Sequence, residues 1–202
     1  MSKTEILKVK GDWQEVVDDC RATVGKPPLG REPSDKFKRE AVIAEHEPIR
    51  AIEVRFAWNR IPYWVAMHFK THIWRCRTIT QRNDRQQKYD RNKAPQDAPV
   101  NLIGSMNTQH HIDTSRKRLC FKAAPETREY MEDYKRTLRP IEPQISDAMV
   151  PNCIYRCGCP EAESCGWYQR VVAKCPELTS TDIQKRYDAY NKFFYGGVCI
   201  GD

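Results

Sequence analysis

Large apolar residues recur at every second position over residues 52–58, which is the period of a β-strand with one buried face. These residues are Ile52, Val54, Phe56 and Trp58. The polar pair Asn59 and Arg60 follows, so we expect the strand to end there in a turn. A second strand is predicted over residues 73–82, where the sequence reads IWRCRTITQR.

Other segments have the period of an amphipathic helix. Ser34 is a suitable N-cap for one of them, and Pro62 and Pro125 each stand where a helix can begin. The predicted helices run from Trp13 to Cys20, from Asp35 to Glu45, from Pro62 toward His72, from Asn107 to Tyr134 with an interruption at Pro125, and from about Thr181 to Phe194. His68 and His72 would lie one turn apart on the third of these helices.

The composition permits one good-sized core, because the chain has 202 residues of which 40% are hydrophobic. Trp58, Trp64 and Trp74 fall within the predicted strands and helix, and we expect them in that core. From Pro140 onward the composition changes, since several prolines frame a cluster of cysteines.

The formal net charge is +7, from 34 basic and 27 acidic residues. This balance favours an anionic partner without indicating nucleic acid. No stretch approaches the roughly 20 apolar residues of a membrane span, and the N-terminus has no apolar run of the signal-peptide type. We therefore expect a soluble protein of the cytoplasm, or of the host cytoplasm if the source is a virus, with no membrane partner.

Basic side chains alternate with hydroxyl and amide groups on the second predicted strand and beyond it. Guanidinium groups beside hydroxyls suit a phosphate, although a run of charges is also typical of a solvated face. The basic residues are Arg75, Arg77, Arg82, Arg85, Lys88 and Arg91, and the residues between them include Thr78, Thr80 and Gln81.

Nine cysteines are many for a reducing compartment, and four of them lie close together at Cys153, Cys157, Cys159 and Cys165. Four thiolates in so short a span can form a tetrahedral zinc site, although their spacing departs from paired C-x-x-C motifs. Buried or reactive thiols, an iron–sulfur cluster and a disulfide are the alternatives. The five histidines form no metalloprotease-type pair, so metal binding by histidine is not favoured.

Residues 46–128 resemble the flavin-dependent thymidylate synthases. That family has, in order, a His-Glu-Thr-Pro segment, a helix entering an Arg-His-Arg motif, a Ser-x-Arg, and an Asn and an Arg eleven residues apart. This chain reads, in the same order, HEP at His46, PYWVAMHFKTHI for the helix, TQR at Thr80, RNKAPQD at Arg91, MNTQ around Asn107 and RKR ending at Arg118. Thr71-His72-Ile73 replaces the Arg-His-Arg, and Arg75 or Arg77 can stand in for one lost arginine.

The resemblance implies a role for each matching residue. The flavin would be held by His46, His72, Asn107 and Arg75. The pyrimidine ring would be gripped by Arg118, and His68 replaces a glutamine that approaches the nucleotide. The nucleotide phosphate would be bound by Thr80, Arg82 and Arg91. Arg118 and His72 are the implied catalytic residues.

The resemblance also implies an activity and an architecture. The activity is C5 methylation of a pyrimidine deoxynucleotide, dUMP to dTMP, with FAD, with methylenetetrahydrofolate as carbon donor and with NADPH as reductant. The architecture is an α+β domain over residues 1–139, in which helices flank a central, mostly antiparallel sheet, with a cysteine-rich extension over 140–202 packed on it. The implied assembly is a homotetramer with its active sites at subunit contacts.

Two alternatives remain at this point. The first keeps the fold and changes the product, to C5-hydroxymethylated dUMP or C5-methylated dCMP for the synthesis of modified DNA. The second is a non-catalytic zinc module that binds nucleic acid through its basic surface and its aromatic side chains. We favour the nucleotide-modifying enzyme, because three tryptophans occupy predicted core positions.

Overall fold

A four-stranded antiparallel sheet lies at the centre of the computed structural model, which describes residues 2–72, 74–79 and 90–196. The strands are β1 (Thr4–Lys10), β2 (Glu53–Pro62), β3 (Arg75–Ile79) and β4 (Pro99–Asn107). Their order in the sheet is β1-β2-β4-β3, and each neighbouring pair is antiparallel. The two central strands, β2 and β4, therefore come from distant parts of the chain.

Helices pack on this sheet and on one another, which confirms the prediction of an α+β fold with an antiparallel sheet flanked by helices. They are α1 (Trp13–Ala22), α2 (Asp35–Ile43), α3 (Tyr63–Lys70), α4 (Thr108–Arg118), α5 (Pro125–Leu138), α6 (Pro143–Ala148), α7 (Asn152–Tyr155), α8 (Trp167–Lys174) and α9 (Ile183–Tyr195). Single turns of 3-10 helix occur at Glu47–Ala51, Arg91–Lys93 and Pro176–Thr179.

The helix boundaries follow from local capping. The Ser34 side chain accepts a hydrogen bond from the Phe37 N–H at 3.3 Å, as predicted for the start of α2. Asp182 caps α9 in the same way, through the N–H groups of Gln184 and Lys185. Pro125 is the first residue of α5, where its missing N–H is not needed.

The strand predicted over residues 52–58 exists, but its predicted end is wrong. β2 continues through Asn59 and Arg60 to Pro62, and the register with β4 shifts between Trp58 and Ile61. Arg60 has a positive φ of 59°, so the backbone forms a bulge instead of a turn. The bulge lets β2 lead directly into α3.

The core is built around aromatic side chains of β2. Trp58 and Phe56 are fully buried, and the centroids of their rings are 4.8 Å apart. Both rings also contact Tyr134 of α5. Trp74 is buried as predicted, whereas Trp64 is only partly buried against the core. At least two of the tryptophans are therefore not available to stack on nucleic-acid bases.

The buried core continues past residue 140 into the C-terminal helices. Lys135 of α5 is fully buried, and its ammonium donates to the Ser146 carbonyl at 2.5 Å and to Asn191 Oδ1 at 2.7 Å. These bonds join α5 to α6 and α9. The division into a catalytic domain and a cysteine-rich extension stays a prediction. No helix in the described residues is long and apolar enough to cross a membrane.

Candidate functional site

Arg118, the last residue of α4, joins that helix to the end of α3. Its Nε donates to His72 Nε2 at 2.8 Å. Its Nη2 donates to the His68 carbonyl at 2.6 Å and to Thr71 Oγ1 at 3.0 Å. These contacts bring together three residues to which the resemblance gave a role, namely Arg118 and His68 for the nucleotide and His72 for the flavin and catalysis.

His72 is neutral in this arrangement, because its Nε2 accepts the hydrogen bond from Arg118. Partial burial, together with the charges of Arg118 and Lys117, lowers the pKa of His72 to about 4. Burial likewise lowers the pKa of Arg118, although a guanidinium remains a cation. His72 lies two residues beyond the end of α3, so the expectation that it shares a helix face with His68 is wrong. A neutral imidazole therefore fixes the orientation of a charged guanidinium.

His68 is held from the opposite side by α5. Its Nδ1 lies 2.9 Å from Thr127 Oγ1, and the Trp64 ring packs edge-on against the imidazole at 5.3 Å between centroids. Thr127 is completely buried. The side chain of His68 is thus positioned by packing and by one hydrogen bond, as a substrate-contacting group requires.

A cavity of about 240 Å³ opens beside Arg118. Its wall is formed by the end of α4, the segment after it, α7, the loop over residues 157–166 and the start of α8. The wall includes His72, the carboxylate of Glu161 and three larger groups of side chains. These groups are the basic residues Arg116, Lys117, Arg118 and Lys122, the thiols Cys120, Cys153, Cys159 and Cys165, and the aromatic residues Phe121, Trp167 and Tyr168.

The four thiols of the predicted zinc site do not all face this cavity. Cys157 is exposed, and its Sγ lies 3.4 Å from the Thr179 carbonyl and 3.5 Å from Tyr168 Oη. Cys153 is buried, and burial together with the neighbouring Cys120 and Cys159 raises its pKa to about 12. Among the residues that the structure describes, no group of three or more His, Cys, Asp or Glu could hold a metal ion. The zinc site of Cys153, Cys157, Cys159 and Cys165 stays a prediction.

The opposite end of α4 carries Asn107, the residue predicted to contact the flavin. Its side chain caps α4 by accepting from the His110 N–H at 2.9 Å, and His110 Nδ1 accepts from the Asn107 N–H at 3.4 Å. His46 is exposed and precedes the 3-10 turn at Glu47–Ala51. That turn leads to Ile52, whose carbonyl accepts from the first N–H of α4. Asn107 therefore lies at the N-terminal end of α4, at the opposite end of the helix from Arg118.

The remaining predicted residues lie in or after β3. Arg75 is the first residue of β3, is exposed, and pairs in register with Ser105 of β4. Arg91 begins a 3-10 turn, and its side chain is outside the described part of the structure. Thr80 and Arg82, the other predicted phosphate ligands, lie outside the described residues. Their roles stay predictions.

The sequence analysis missed an ion pair that joins α4 to a residue just after the end of α2. Arg116 forms a salt bridge with Glu45, and its guanidinium lies 3.7 Å above the Tyr155 ring. Gln109 of the same helix donates to Glu45 at 2.7 Å. Burial acts to lower the pKa of Arg116, but the hydrogen bond and the charge of Glu45, together with Tyr187, raise it overall. Glu45 has a positive φ of 52° just after α2, which a local pattern does not reveal.

No protein-family model matches the chain, and no curated protein matches it. Among solved structures, the fold is similar to that of the UMP/dUMP methylase PolB from Streptomyces cacaoi, determined with bound 5-Br dUMP. The TM-score is 0.56 and the sequence identity is 13%. The match covers 72% of this chain and 93% of the PolB chain. At this identity the likeness establishes a shared fold.

Proposed function

We propose that this protein binds a pyrimidine deoxynucleotide at Arg118, His72 and His68 and modifies it at C5. The observation that carries the proposal is the fixed guanidinium of Arg118, held by three acceptors at the junction of α3 and α4. The fold shared with a UMP/dUMP methylase supports it. Among C5 modifications we favour methylation of dUMP to dTMP, because the sequence resembles the flavin-dependent thymidylate synthases.

Arg118 would act on the ring as an electrostatic group. Reaction at C5 of a pyrimidine places negative charge on the ring carbonyl, and a guanidinium beside that oxygen stabilises it. His72 is a positioning residue, since it accepts from Nε and restricts the plane of the guanidinium. Because burial lowers the pKa of His72 to about 4, it stays neutral and does not repel Arg118 at physiological pH.

The proposed co-substrates are methylenetetrahydrofolate as carbon donor and NADPH as reductant, with FAD as the cofactor that supplies hydride when bound. The residues predicted to hold FAD are spread along α4. Asn107 caps its first turn, whereas His72 contacts its last residue, and eleven residues of helix span about 16 Å. The flavin site stays a prediction, and we derive no step through it.

We propose that a homo-oligomer, and specifically a tetramer, completes that site. In such an assembly the Asn107 end of one copy would meet the His72 end of another. This arrangement would reconcile the predicted residues with their separation in one chain. The mass of the protein in solution, measured by light scattering, tests it, and a monomer that binds FAD stoichiometrically would contradict it.

A second substrate, dCMP, is compatible with the contacts of His68. Thr127 occupies Nδ1 of His68, so Nε2 is the ring nitrogen left to meet a base, and it donates or accepts according to its tautomer. An imidazole of this kind can pair with the N3–H of uracil or with the bare N3 of cytosine. dCMP methylation is therefore one competing reaction, and dUMP hydroxymethylation, which the resemblance leaves open, is the other.

Nucleotide binding is tested by calorimetric titration with dUMP and dCMP. Arg118→Ala should weaken binding by about 10- to 100-fold, because charge-assisted hydrogen bonds are worth roughly 1.5–3 kcal/mol. Arg31→Ala is the matched control, since it removes the same charge from an exposed loop residue. An Arg118→Ala protein that is folded and binds dUMP like the wild type would overturn the proposal.

The chemistry is tested separately by mass spectrometry of the product. Wild-type protein is incubated with dUMP or dCMP, methylenetetrahydrofolate, FAD and NADPH. A product with the mass of dTMP is expected from dUMP. A hydroxymethylated product, or turnover of dCMP alone, would replace the proposed reaction with one of its competitors.

A further inference from the structure

Four cysteines from three separate segments face the cavity beside Arg118. Cys120 follows α4, Cys153 belongs to α7, and Cys159 and Cys165 lie in the loop before α8. Only Cys153, Cys159 and Cys165 are close in sequence, at equal spacings, while Cys120 is more than 30 residues away. The fold therefore assembles a thiol set that differs from the sequence-based one, with Cys120 in place of Cys157.

The backbone of the loop over residues 157–166 turns sharply at both ends. Cys157 and Gly166, on either side of Cys159 and Cys165, have positive φ values of 55° and 77°. Most of the loop side chains between them are exposed, Cys165 included, so the apolar core does little to hold this segment. A metal group bound by the loop thiols would contribute free energy that stabilises it.

The charge of the cavity wall suits an anionic sulfur cluster. Lys117, Arg118 and Lys122 line the cavity together with one acidic residue, Glu161, and the net positive charge offsets that of thiolate ligands.

The four thiols border one cavity of about 240 Å³, which is larger than a single metal ion. A tetrahedral zinc ion with bonds of about 2.3 Å instead requires four sulfurs in near contact. An iron–sulfur cluster fills the space between its cysteines, and four cysteines are the usual ligand set for one.

We infer that Cys120, Cys153, Cys159 and Cys165 bind an iron–sulfur cluster in this cavity. Each ligand thiol loses its proton when the cluster binds. The cluster lies beside Arg118, the residue that the proposed function assigns to the pyrimidine. The two proposals are independent, since nucleotide binding is measured by dUMP titration and cluster binding by metal content.

The test is an analysis of iron, acid-labile sulfide and zinc in full-length protein purified without oxygen and reconstituted with Fe³⁺, a thiol reductant and sulfide, so that ferric iron supplies the oxidation state of the cluster. Equal amounts of iron and sulfide are expected, about two to four of each per chain, with the broad visible absorbance of a cluster. Stoichiometric zinc without iron, or protein that retains no metal, would overturn the inference. This measurement on the wild type needs no variant.

Substitutions then test the ligand set. Cys120→Ser and Cys159→Ser should each lose most of the iron and the visible absorbance, whereas Cys157→Ser, the matched control from the same loop, should retain both. Circular dichroism of each variant identifies any that fail to fold, and the wild-type analysis stands in that case. If Cys157→Ser loses iron and Cys120→Ser keeps it, the assigned ligand set is wrong.

Discussion

Acidification should destabilise the fold through the buried imidazole of His111. This residue of α4 is completely buried. Its Nδ1 donates to the Asn107 carbonyl at 2.7 Å, so its Nε2 carries no proton and accepts from the Tyr134 hydroxyl at 2.7 Å. A second proton on Nε2 would break the bond to Tyr134 and place a charge in the core.

The size of the effect follows from the pKa of His111 in the two states. Burial lowers the pKa to about 4 in the folded protein, helped by the nearby His110 and opposed by the bond to the Asn107 backbone, against 6.5 for an ordinary histidine. The unfolded chain therefore takes up a proton first as the pH falls below 6.5, and stability is lost down to about pH 4. At about pH 5 this single group lowers the free energy of unfolding by about 2 kcal/mol relative to about pH 8.

Urea unfolding followed by circular dichroism at these two pH values measures the difference directly. In His111→Gln the loss of stability between about pH 8 and about pH 5 should be smaller than in the wild type by about 2 kcal/mol. Any cost of the substitution itself cancels, because each variant is compared with itself. His46→Gln, at an exposed position, should keep the wild-type difference. A His111→Gln protein with the full wild-type difference would refute the reasoning.

Two further substitutions test the packing of β4 and the cap of α4. Gly104→Ala should destabilise the protein by about 1–3 kcal/mol in urea unfolding, because the new methyl group would lie 2.5 Å from Trp74 and 2.6 Å from Phe56. A methyl group at Gly158 would meet open space, so Gly158→Ala should leave the free energy of unfolding nearly unchanged. An equal loss of stability in that variant would rule out steric contact with Trp74 and Phe56 as the cause. Asn107→Ala should lower the free energy of unfolding by about 1 kcal/mol through the lost N-cap, whereas Asn107→Ser should keep most of the stability that the cap supplies. Equal unfolding midpoints for the two variants would contradict the capping role.

The elements with a strong local signal were predicted from the sequence, and two strands were not. β1 has a weak signal because Thr4 is its only buried residue, so no apolar face repeats along it. β4 buries Val100, Leu102 and Met106 in strict alternation, but Gly104 interrupts the pattern. That glycine is needed since the aromatic rings of Trp74 and Phe56 occupy the place of a side chain. The tertiary contact that explains the interruption is invisible in the local sequence.

The candidate site was predictable only where the resemblance supplied distant partners. His72 and Arg118 are 46 positions apart, and no periodicity links them, yet they are joined by a 2.8 Å hydrogen bond. The cysteine cluster shows the opposite limit. Local spacing grouped Cys157 with its neighbours, whereas the fold turns it toward Thr179 and brings Cys120 to the cavity instead. Nearness in sequence identified the loop but not the set of facing thiols.

Helix α4 sets the angle between Asn107 and Arg118 about the helix axis as well as the distance between them. At about 100° per residue, the eleven steps from Asn107 to Arg118 turn the chain by about 1100°, which is only about 20° more than three full rotations. Both residues therefore project from nearly the same side of the helix axis. Deleting one residue within α4 would swing Arg118 by about 100° away from His72 while shortening the helix by only about 1.5 Å. The length of α4 is thus constrained by rotation far more tightly than by reach, and any chimera that exchanges this helix must preserve its residue count.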